Sequence, residues 1–340
     1  MDKNSLRKIT VHDVAKQAGV STATVSRVIN GNDTVSPELQ THVRDAINKL
    51  GYRPNKAAHH LRSGKTNRVG VLFADIRNPF FTSVLAGIEN YLHEAGYALI
   101  LGNSNEDAKI ESMQLQAFLD EGVAGIILSS VTNSGENYQQ ILDTGIPILA
   151  MDRIPKNFRV DSISIDNARA AKQAALHLIN LGHKRVAFIG GPEHISTAHL
   201  RKRGYLEALQ EHPDIKPIIE LGDFTQLGGY EATRNVLAIH NDISAFLVAN
   251  NLMTLGALQF FNESKIRVPD EIALVGFDDM PWATSLQPPL TVVAQPTYEM
   301  GKIAARLLLD RINNPNSPIQ QVTLETELII RESCGGLRFA

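Results

Sequence analysis

The first 51 residues contain three short segments in which apolar residues recur every three or four positions, the spacing of one helix face. The first segment begins at Thr10, which has an acidic residue three positions later as in a capping box, and ends at Gly19. The second follows at once from Ser21, a favourable N-cap residue. The third begins at Pro37 and ends at Gly51. Two short helices joined by a glycine-containing turn predict a helix-turn-helix, here followed by a third helix.

The second predicted helix has two different faces. Apolar residues fall on one face, whereas small, polar and basic residues fall largely on the other. The polar face fits the DNA major groove, where Arg pairs with guanine, Asn pairs with adenine, and small apolar groups meet the thymine methyl. A solvated surface helix is the alternative interpretation. The residues predicted to face DNA here are Thr22, Ala23, Ser26, Arg27 and Asn30.

From residue 66 the pattern changes to short apolar runs that alternate with helical stretches, which predicts an α/β fold with mainly parallel sheets. A new α/β series begins near Asp166, which favours two lobes over one Rossmann-like domain. Later segments near Gln295 and Val322 can form strands that join sheets begun earlier in the chain. The predicted strands are residues 69–73, 98–101, 125–128, 146–151, 186–189, 218–221, 245–248 and 272–275.

Polar and aromatic residues follow several of these runs. Ligands of open α/β sheets bind beyond the carboxyl ends of the strands, so we expect these residues to converge. Carboxylate, amide and guanidinium groups next to aromatic faces suit a sugar. Each polar residue taken alone is also consistent with a loop cap or a surface ion pair. The residues that follow the runs are Asp75, Asn78, Phe80, Phe81, Asp152, Arg153, Phe224, Asn250 and Asp278.

Charge is distributed unevenly along the 340 residues, of which 43% are hydrophobic. Residues 1–65 carry eleven Lys and Arg against five acidic residues, a net charge of +6, and the remainder carries −9. A basic segment on an acidic body is expected where one end meets phosphate. The single cysteine, Cys334, excludes an intrachain disulfide and a cysteine metal cluster. With no apparent signal peptide or membrane-spanning run, we expect a cytoplasmic protein.

Catalysis is not expected. The chain has no G-x-G-x-x-G after a strand and no Walker loop, H-E-x-x-H or G-x-S-x-G motif, and its candidate aspartates have no evident nucleophile partner. The adjacent His59 and His60 lack a third metal ligand nearby, so we predict neither a metal nor another cofactor. A sugar- or nucleoside-acting enzyme and a plain sugar-binding module are the alternative classes, and the second leaves the basic N-terminal segment unexplained.

Three stretches of the chain resemble the lactose/galactose repressor (LacI) family: TVHDVAKQAGVSTATVSRVINGN, VSPELQTHVRDAINKLGYRPNKAAHHLRSGKT and NRVGVLFADI. The likeness runs without a gap through the N-terminal segment and in outline over nearly the whole chain. It implies a helix-turn-helix headpiece joined to a two-lobed, periplasmic-binding-protein-like (type I) domain of parallel sheets. It also implies that Thr22, Ala23 and Arg27 face base edges, while Asn30 helps to position the helix on the sugar-phosphate backbone of the DNA.

The resemblance sets the expected domain boundaries. Residues 1–53 form the headpiece, residues 54–65 form a hinge helix and linker, and residues 66–340 form the ligand-binding and dimerisation domain. Within residues 66–340, lobe 1 is expected to span about 66–164 and 294–318, and lobe 2 about 165–293 and 319–335.

The segment after Pro54 is only about two helical turns long, so an isolated helix there is marginal in water. In the family this hinge helix enters the minor groove beside its dimer mate. Leu61 then matches an apolar wedge and Ala58 a hinge-to-hinge contact. A simple linker residue is the alternative for Leu61. The predicted DNA-binding residues of the hinge are Asn55, Ala58, Leu61 and Arg62.

The strand-end motifs NPFF, MDR, TAHLRKRG, GDF, ANN, VGFDD and VAQP also resemble the pockets of ribose-type binding proteins and sugar-responsive repressors. The Asp152-Arg153 pair discriminates most, because purine-responsive members have an aromatic residue after the aspartate and catabolite-control members lack the pair. A ribose-like monosaccharide is therefore the first expectation, with sugar acids, sugar phosphates and purines as alternatives. The predicted effector-binding residues are Asn78, Phe80, Phe81, Asp152, Arg153, Arg201, Phe224, Asn250, Asp278 and Gln295.

The sequence thus predicts a homodimeric transcription repressor that binds a near-palindromic operator in double-stranded DNA. A small effector is expected to close the cleft between the lobes and so alter the affinity for the operator. Release of DNA on effector binding is the commoner behaviour in the family.

Overall fold

The computed structural model describes residues 9–29, 35–52 and 66–336. The chain divides into two compact units, residues 1–65 and residues 66–340. No helix in the described ranges is long and apolar enough to cross a membrane. Five of the predicted DNA-binding residues lie outside the described residues: Asn30, Asn55, Ala58, Leu61 and Arg62.

Three helices form the described part of the smaller unit: α1 (Val11–Ala18), α2 (Thr22–Ile29) and α3 (Pro37–Leu50). The predicted capping box is confirmed, since the side chain of Thr10 accepts from the backbone of Asp13 while the Asp13 carboxylate accepts from the Thr10 backbone. Ser21 caps α2, because its hydroxyl oxygen accepts the backbone N–H of Thr24 at 3.1 Å. The turn between α1 and α2 passes through Gly19 at φ 67°, a left-handed conformation that glycine adopts without strain.

The three helices bury a small core of valine and alanine side chains. Val14, Val25 and Val43, one from each helix, are fully buried. Each helix is too short to be stable alone in water, so this shared core holds the unit together. The buried residues of the core are Val14, Ala15, Val25, Val28, Val35, Val43 and Ala46.

The larger unit is an α/β structure, as predicted. Its strands within the described residues are β1 (Arg68–Phe73), β2 (Ala98–Asn103), β3 (Gly125–Leu128), β4 (Ile148–Met151), β5 (Asp161–Ile165), β6 (Val186–Gly190), β7 (Ile218–Leu221), β8 (Ala245–Val248), β9 (Ala273–Phe277), β10 (Thr291–Ala294), β11 (Gln321–Leu324) and β12 (Glu327–Ile329). Its helices are α4 (Pro79–Glu94), α5 (Ala108–Asp120), α6 (Gln139–Leu142), α7 (Asn167–Asn180), α8 (Ser196–Gln210), α9 (Gln226–Ile239), α10 (Asn251–Glu263) and α11 (Thr297–Asn313).

The strands form two six-stranded sheets, which define two lobes. The first has the order β11-β5-β4-β3-β1-β2, and all its pairings are parallel. The second has the order β12-β10-β9-β8-β6-β7 and is parallel except for β12, which runs antiparallel to β10. Parallel strands covered by helices on both faces are continuously apolar, and β3, β4, β6, β8 and β9 are buried along their whole length.

The chain passes between the lobes at three places: from β5 to α7, from β10 to α11, and from β11 to β12. The third crossing corrects the expected boundary, because residues 319–335 do not all belong to lobe 2. Gln321–Leu324 pairs with β5 of the first sheet, and Glu327–Ile329 pairs with β10 of the second. Asp161 of β5 holds the start of Gln321–Leu324 in place, because its carboxylate accepts hydrogen bonds from the backbone of Gln320 and from Arg311. The apolar pattern does not distinguish the two sheets, since each has an edge that can accept another strand.

Pairs of helices approach closely at glycines. A Cβ atom on Gly204 of α8 would lie 2.0 Å from the carbonyl oxygen of Ala168 in α7. The same contact occurs in lobe 1, where a Cβ atom on Gly301 of α11 would lie 2.0 Å from the oxygen of Val84 in α4. These contacts are with backbone, which cannot rotate away, so the helices pack at this distance only because glycine has no side chain.

We therefore expect Gly204→Ala to destabilise the protein by about 1–3 kcal/mol, because α7 and α8 must separate to accommodate the methyl group. The measurement is the shift of the urea unfolding midpoint followed by circular dichroism. Arg203→Ala at the neighbouring exposed position is the control and should change the free energy of unfolding by less than about 0.5 kcal/mol. Equal effects of the two substitutions would contradict the close-packing explanation.

Candidate functional site

A cavity of about 300 Å³ lies at the carboxyl ends of strands from both sheets. Residues that follow β1, β2 and β4 line it from lobe 1, and residues that follow β7, β8 and β9 line it from lobe 2. All ten residues predicted for effector binding line this single cavity: Asn78, Phe80, Phe81, Asp152, Arg153, Arg201, Phe224, Asn250, Asp278 and Gln295. The structure thus brings the ten together, and their role in binding an effector stays a prediction.

The backbone is left-handed at several of these strand ends. Seven non-glycine residues in the described ranges have positive φ, and five of the seven line the cavity. Side chains rarely tolerate this conformation, and its clustering is typical of functional sites, where neighbouring structure holds the strain. The five are Asn105 (φ 53°), Glu106 (φ 60°), Asp152 (φ 62°), Phe224 (φ 65°) and Asp278 (φ 71°).

Arg153 is held by a carboxylate from the neighbouring strand end. Its two terminal nitrogens each donate to one carboxylate oxygen of Glu106, at 2.7 and 2.8 Å. The Arg153 side chain is only 7% exposed and the Glu106 side chain 31% exposed. Burial disfavours the charged guanidinium, but the bidentate pair with Glu106 outweighs it, and the pKa of Arg153 is raised.

Arg201 reaches the cavity from α8 of lobe 2. Its Nε donates to the Asn167 side chain at 2.7 Å, and one terminal nitrogen donates to the Ala249 carbonyl at 2.5 Å. The guanidinium carbon lies 4.3 Å from the centre of the Phe277 ring, a cation–π contact. Burial lowers the pKa of Arg201. Two aspartates of the cavity oppose that effect by their charge.

These two aspartates come one from each lobe. Burial raises the pKa of Asp152 to about 6, although Arg153 and Arg201 work in the opposite direction. Burial also raises the pKa of Asp278, whose Oδ1 accepts a hydrogen bond from Gln295 Nε2 at 2.6 Å. The cavity therefore holds buried carboxyl groups whose charges are only partly compensated by protein groups.

Two buried polar atoms of the lining lack a hydrogen-bond partner among the described residues: Arg153 Nε, a donor, and Gln295 Oε1, an acceptor. An unsatisfied buried polar group costs free energy, so such groups indicate a place for a water molecule or a ligand. A ligand hydroxyl both donates and accepts, and it therefore suits either atom.

Aromatic side chains and an amide pair complete the lining. Phe80 and Phe81 are buried with their rings in an edge-to-face arrangement, 5.1 Å between centres. Across the cavity, the Phe224 ring lies 5.7 Å from the Arg153 guanidinium carbon. The Asn251 side chain donates to Asn78 Oδ1 at 2.8 Å and so links lobe 2 to lobe 1 beside the cavity.

Sequence reasoning missed several residues of the lining, of which Glu106 has the largest electrostatic effect. The strand rule would have found Asn105 and Glu106, but β2 was expected to end at Leu101 and continues to Asn103. Asp75, expected among the strand-end residues but not assigned to effector binding, also lines the cavity. The remaining lining residues outside the predicted set are Arg77, Thr197, Asp223, Thr225 and Leu252.

The described polar face of α2 is accessible. Ala23 and Arg27, one turn apart, are exposed, and Thr22 and Ser26 are half-buried. Val25 and Val28 on the opposite face belong to the core of the smaller unit. The helix therefore presents a small, basic surface to solvent, with dimensions that suit a DNA major groove.

A helix-turn-helix unit joined to a two-lobed ligand-binding fold defines a class of DNA-binding regulators that respond to small molecules. Residues 10–55 match the family described as bacterial regulatory proteins, lacI family, and residues 175–334 match the periplasmic binding protein-like domain. The chain is 35% identical to catabolite control protein A of Priestia megaterium, over 96% of this chain and 99% of that one. It is 33% identical to the ribose operon repressor of Halalkalibacterium halodurans, over 96% and 97%.

Solved structures give the same result. The lac repressor dimer bound to operator and the anti-inducer ONPF superposes with a TM-score of 0.87 at 27% identity, covering 96% of this chain and 99% of that one. The complex of the transcriptional regulator CelR with cellobiose superposes with a TM-score of 0.72 at 35% identity, over 96% and 99%. The chain belongs to the LacI family of bacterial transcription regulators.

The buried Asp152 predicts that stability depends on pH. Because its pKa is about 6 in the folded protein against an ordinary 3.8, the folded state binds more protons than the unfolded state between these values. Stability from this group is therefore complete below the lower value and is lost as the pH rises through the upper one. Asp152→Asn has no charge to bury, so we expect it to be more stable than the wild type near pH 7.5, by about 1–3 kcal/mol.

The measurement is unfolding of both proteins without ligand at a series of pH values. The advantage of Asp152→Asn should shrink as the pH falls from about 6.5 to about 4. A difference that stays constant over this range would show that the carboxyl group of Asp152 does not titrate as described.

Proposed function

We propose that this LacI-family regulator is a repressor whose operator affinity is controlled by a neutral monosaccharide bound in the cavity between the lobes, with ribose as the first candidate. The residues assigned to the sugar are the ten lining residues predicted from the sequence. We propose no catalytic role for them, and we infer a cytoplasmic location from the DNA-binding role.

The balance of charge in the cavity carries this proposal. Five acidic side chains line it against three basic ones: Asp75, Glu106, Asp152, Asp223 and Asp278 against Arg77, Arg153 and Arg201. Moreover, Arg153 is already paired with Glu106, and Arg77 with Asp75. An anionic ligand would meet a surface with no excess positive charge, whereas neutral hydroxyl groups can donate to the carboxylates and accept from the guanidinium groups.

Size and shape agree with a small sugar. A volume of about 300 Å³ is at the lower end of the range for small-molecule pockets. Phe80, Phe81 and Phe224 provide apolar faces for the C–H surface of a sugar ring. A purine would also stack on these rings, but the lining offers it two buried carboxyl groups and two guanidinium groups to satisfy.

The comparisons support a sugar and leave its identity to experiment. One relative is named a ribose operon repressor, which favours ribose. The CelR structure contains cellobiose, so a disaccharide is the competing sugar. The Asp152-Arg153 pair, typical of ribose-type pockets, and the small cavity favour the monosaccharide.

For the DNA end of the protein, we assign base contacts to Thr22, Ala23, Ser26 and Arg27 of α2. By the resemblance to the family, we also assign Asn30, Asn55, Ala58, Leu61 and Arg62 to the operator interface. The lac repressor structure is a dimer on its operator, and twofold symmetry of that kind gives a near-palindromic site. We propose the same assembly here.

The proposed control is a change in the angle between the lobes. Asp152 belongs to lobe 1 and Asp278 to lobe 2, so a sugar bonded to both favours the arrangement in which both reach it. The crossings from β5 to α7 and from β10 to α11 adjoin this cavity and act as hinges. An effector that binds one lobe arrangement more tightly must shift the operator affinity linked to that arrangement.

Thermal unfolding of the full-length protein with a set of ligands tests the effector. The set is ribose, hexoses, cellobiose, ribose 5-phosphate, a sugar acid and a purine. A neutral monosaccharide should stabilise the protein by about 2.7 kcal/mol at a hundredfold excess over its Kd. Asp278→Asn should abolish that effect and retain DNA binding, whereas Asp143→Asn, an exposed substitution away from the cavity, should preserve both.

Stabilisation by ribose 5-phosphate, the sugar acid or the purine without any response to neutral sugars would overturn the proposed effector class. A response to cellobiose alone would keep the class of neutral sugars and replace the monosaccharide.

Arg27 tests the proposed base-reading helix. We expect Arg27→Ala to weaken binding to an operator, selected from random DNA with the wild-type protein, by about 1–3 kcal/mol. The measurement is fluorescence anisotropy at fixed salt concentration. Arg44→Ala, which removes the same charge from an exposed position on α3, is the matched control. If the two variants lose equal affinity for operator and for random DNA, Arg27 contributes charge and does not read bases.

A further inference from the structure

Glu106 is held in place by backbone contacts independent of its charge. It follows β2 in the left-handed conformation, and its backbone N–H donates to the carbonyl of Ala74, beyond the end of β1, at 2.8 Å. This hydrogen bond ties the residue to the neighbouring strand end. The carboxylate can therefore be altered without removing the contact that positions the loop.

The carboxylate accepts hydrogen bonds from the two outer nitrogens of Arg153. In the same bidentate geometry a guanidinium group would otherwise bind a phosphate or a carboxylate ligand. The remaining nitrogen, Nε, has no hydrogen-bond partner among the described residues. An anion that bound the two outer nitrogens of Arg153 would therefore have to displace Glu106 and leave its carboxylate without a counter-charge.

The other acidic residues of the lining do not occupy the two outer nitrogens of Arg153, although Asp152 Oδ2 lies 4.0 Å from its Nε. Asp75 pairs with Arg77, whose side chain is 69% exposed. Asp223 is exposed and accepts hydrogen bonds from Thr225. Neither one contacts a buried cation. Solvent screens Asp223 and the Arg77 partner of Asp75 more strongly than it screens the Glu106–Arg153 pair.

We propose that Glu106 is a specificity-determining residue that makes the cavity reject anionic ligands by cancelling the charge of Arg153. The inference concerns the same cavity as the proposed function and rests on it for the identity of the sugar. Removing the negative charge leaves Arg153 as a buried cation without a full counter-charge, and an anionic ligand is then the favoured partner.

The experiment compares the Kd values of ribose, ribose 5-phosphate and inorganic phosphate for the full-length protein, measured by calorimetry in a phosphate-free buffer. We expect Glu106→Gln to lower the ratio of the ribose 5-phosphate Kd to the ribose Kd by about tenfold or more, since a charge-assisted bidentate site becomes available. Inorganic phosphate should bind Glu106→Gln more tightly than it binds the wild type, by a similar factor.

Two further variants test whether the effect depends on negative charge at residue 106 and not on charge elsewhere in the cavity. Glu106→Asp keeps the negative charge and should keep the wild-type preference for the neutral sugar, even if both Kd values rise. Asp223→Asn removes a negative charge from the same cavity without touching Arg153 and should change the ratio by less than about threefold. Thermal unfolding of each variant without ligand shows whether it is folded. If Glu106→Gln does not fold, Glu106→Ala takes its place in the experiment.

An unchanged ratio in Glu106→Gln, or an equal change in Glu106→Asp or Asp223→Asn, would overturn the inference. The proposed function fails separately, through absence of binding of any neutral sugar to the wild type. In that case inorganic phosphate still tests Glu106, because its binding does not depend on which sugar is the effector.

Discussion

Two guanidinium groups and three carboxyl groups, those of Asp75, Asp152 and Asp278, are buried around one cavity. The cost of removing charge from water explains much of their surroundings. Arg153 and Arg201 are each held by fixed groups, the first by Glu106 and the second by Asn167 and a backbone carbonyl. Asp152 and Asp278 are satisfied less completely, which is why burial raises both pKa values. A neutral ligand rich in hydroxyl groups supplies the missing hydrogen bonds without adding another charge to bury.

The topology places these charges together. Each sheet is parallel in its centre, so the carboxyl ends of β1, β2 and β4 meet at one edge of lobe 1, and those of β7, β8 and β9 meet at one edge of lobe 2. At these edges the chain turns out of the sheet through left-handed residues, including Asp152 and Asp278. The turn directs the side chain into the cavity at the residue where the strand ends. Parallel pairing, local backbone strain and the polar lining are therefore parts of the same arrangement.

The elements with strong local signals could be predicted from the sequence. The headpiece helices begin and end at their caps, and β3, β7 and β8 occupy the predicted residues, because these strands are mainly apolar and bounded by turns. Eight of the ten predicted cavity residues follow from the strand-end rule, which depends only on topology. Arg201 and Gln295 were added by the resemblance to the family.

Segments decided by tertiary contacts could not be predicted in this way. β5 has the alternating sequence DSISI, yet most of it is buried, since Asp161 is neutralised by the distant Arg311. β2 continues through Gly102 because β1 pairs with it, and a Cβ there would lie 2.9 Å from Leu72. Because β2 ends two residues later than expected, Glu106 was not recognised as a residue at the strand end. The placement of β11 in lobe 1 likewise depends on Asp161 and not on its own apolar pattern.

The groups that would hold the ligand adjoin the places where the chain changes lobe. Arg201 bonds Asn167, the first residue after the crossing from β5, and Asp278 is bonded by Gln295, which begins the crossing from β10. Asn251 reaches from one lobe to Asn78 of the other beside the same cavity. A change in the angle between the lobes must alter the hydrogen bond between Asn251 and Asn78 and the separation of Asp152 from Asp278. For a ligand bonded to both lobes, the free energy of binding would then differ between lobe arrangements. Its binding would shift their populations, which is the thermodynamic requirement for control of a separate DNA-binding unit.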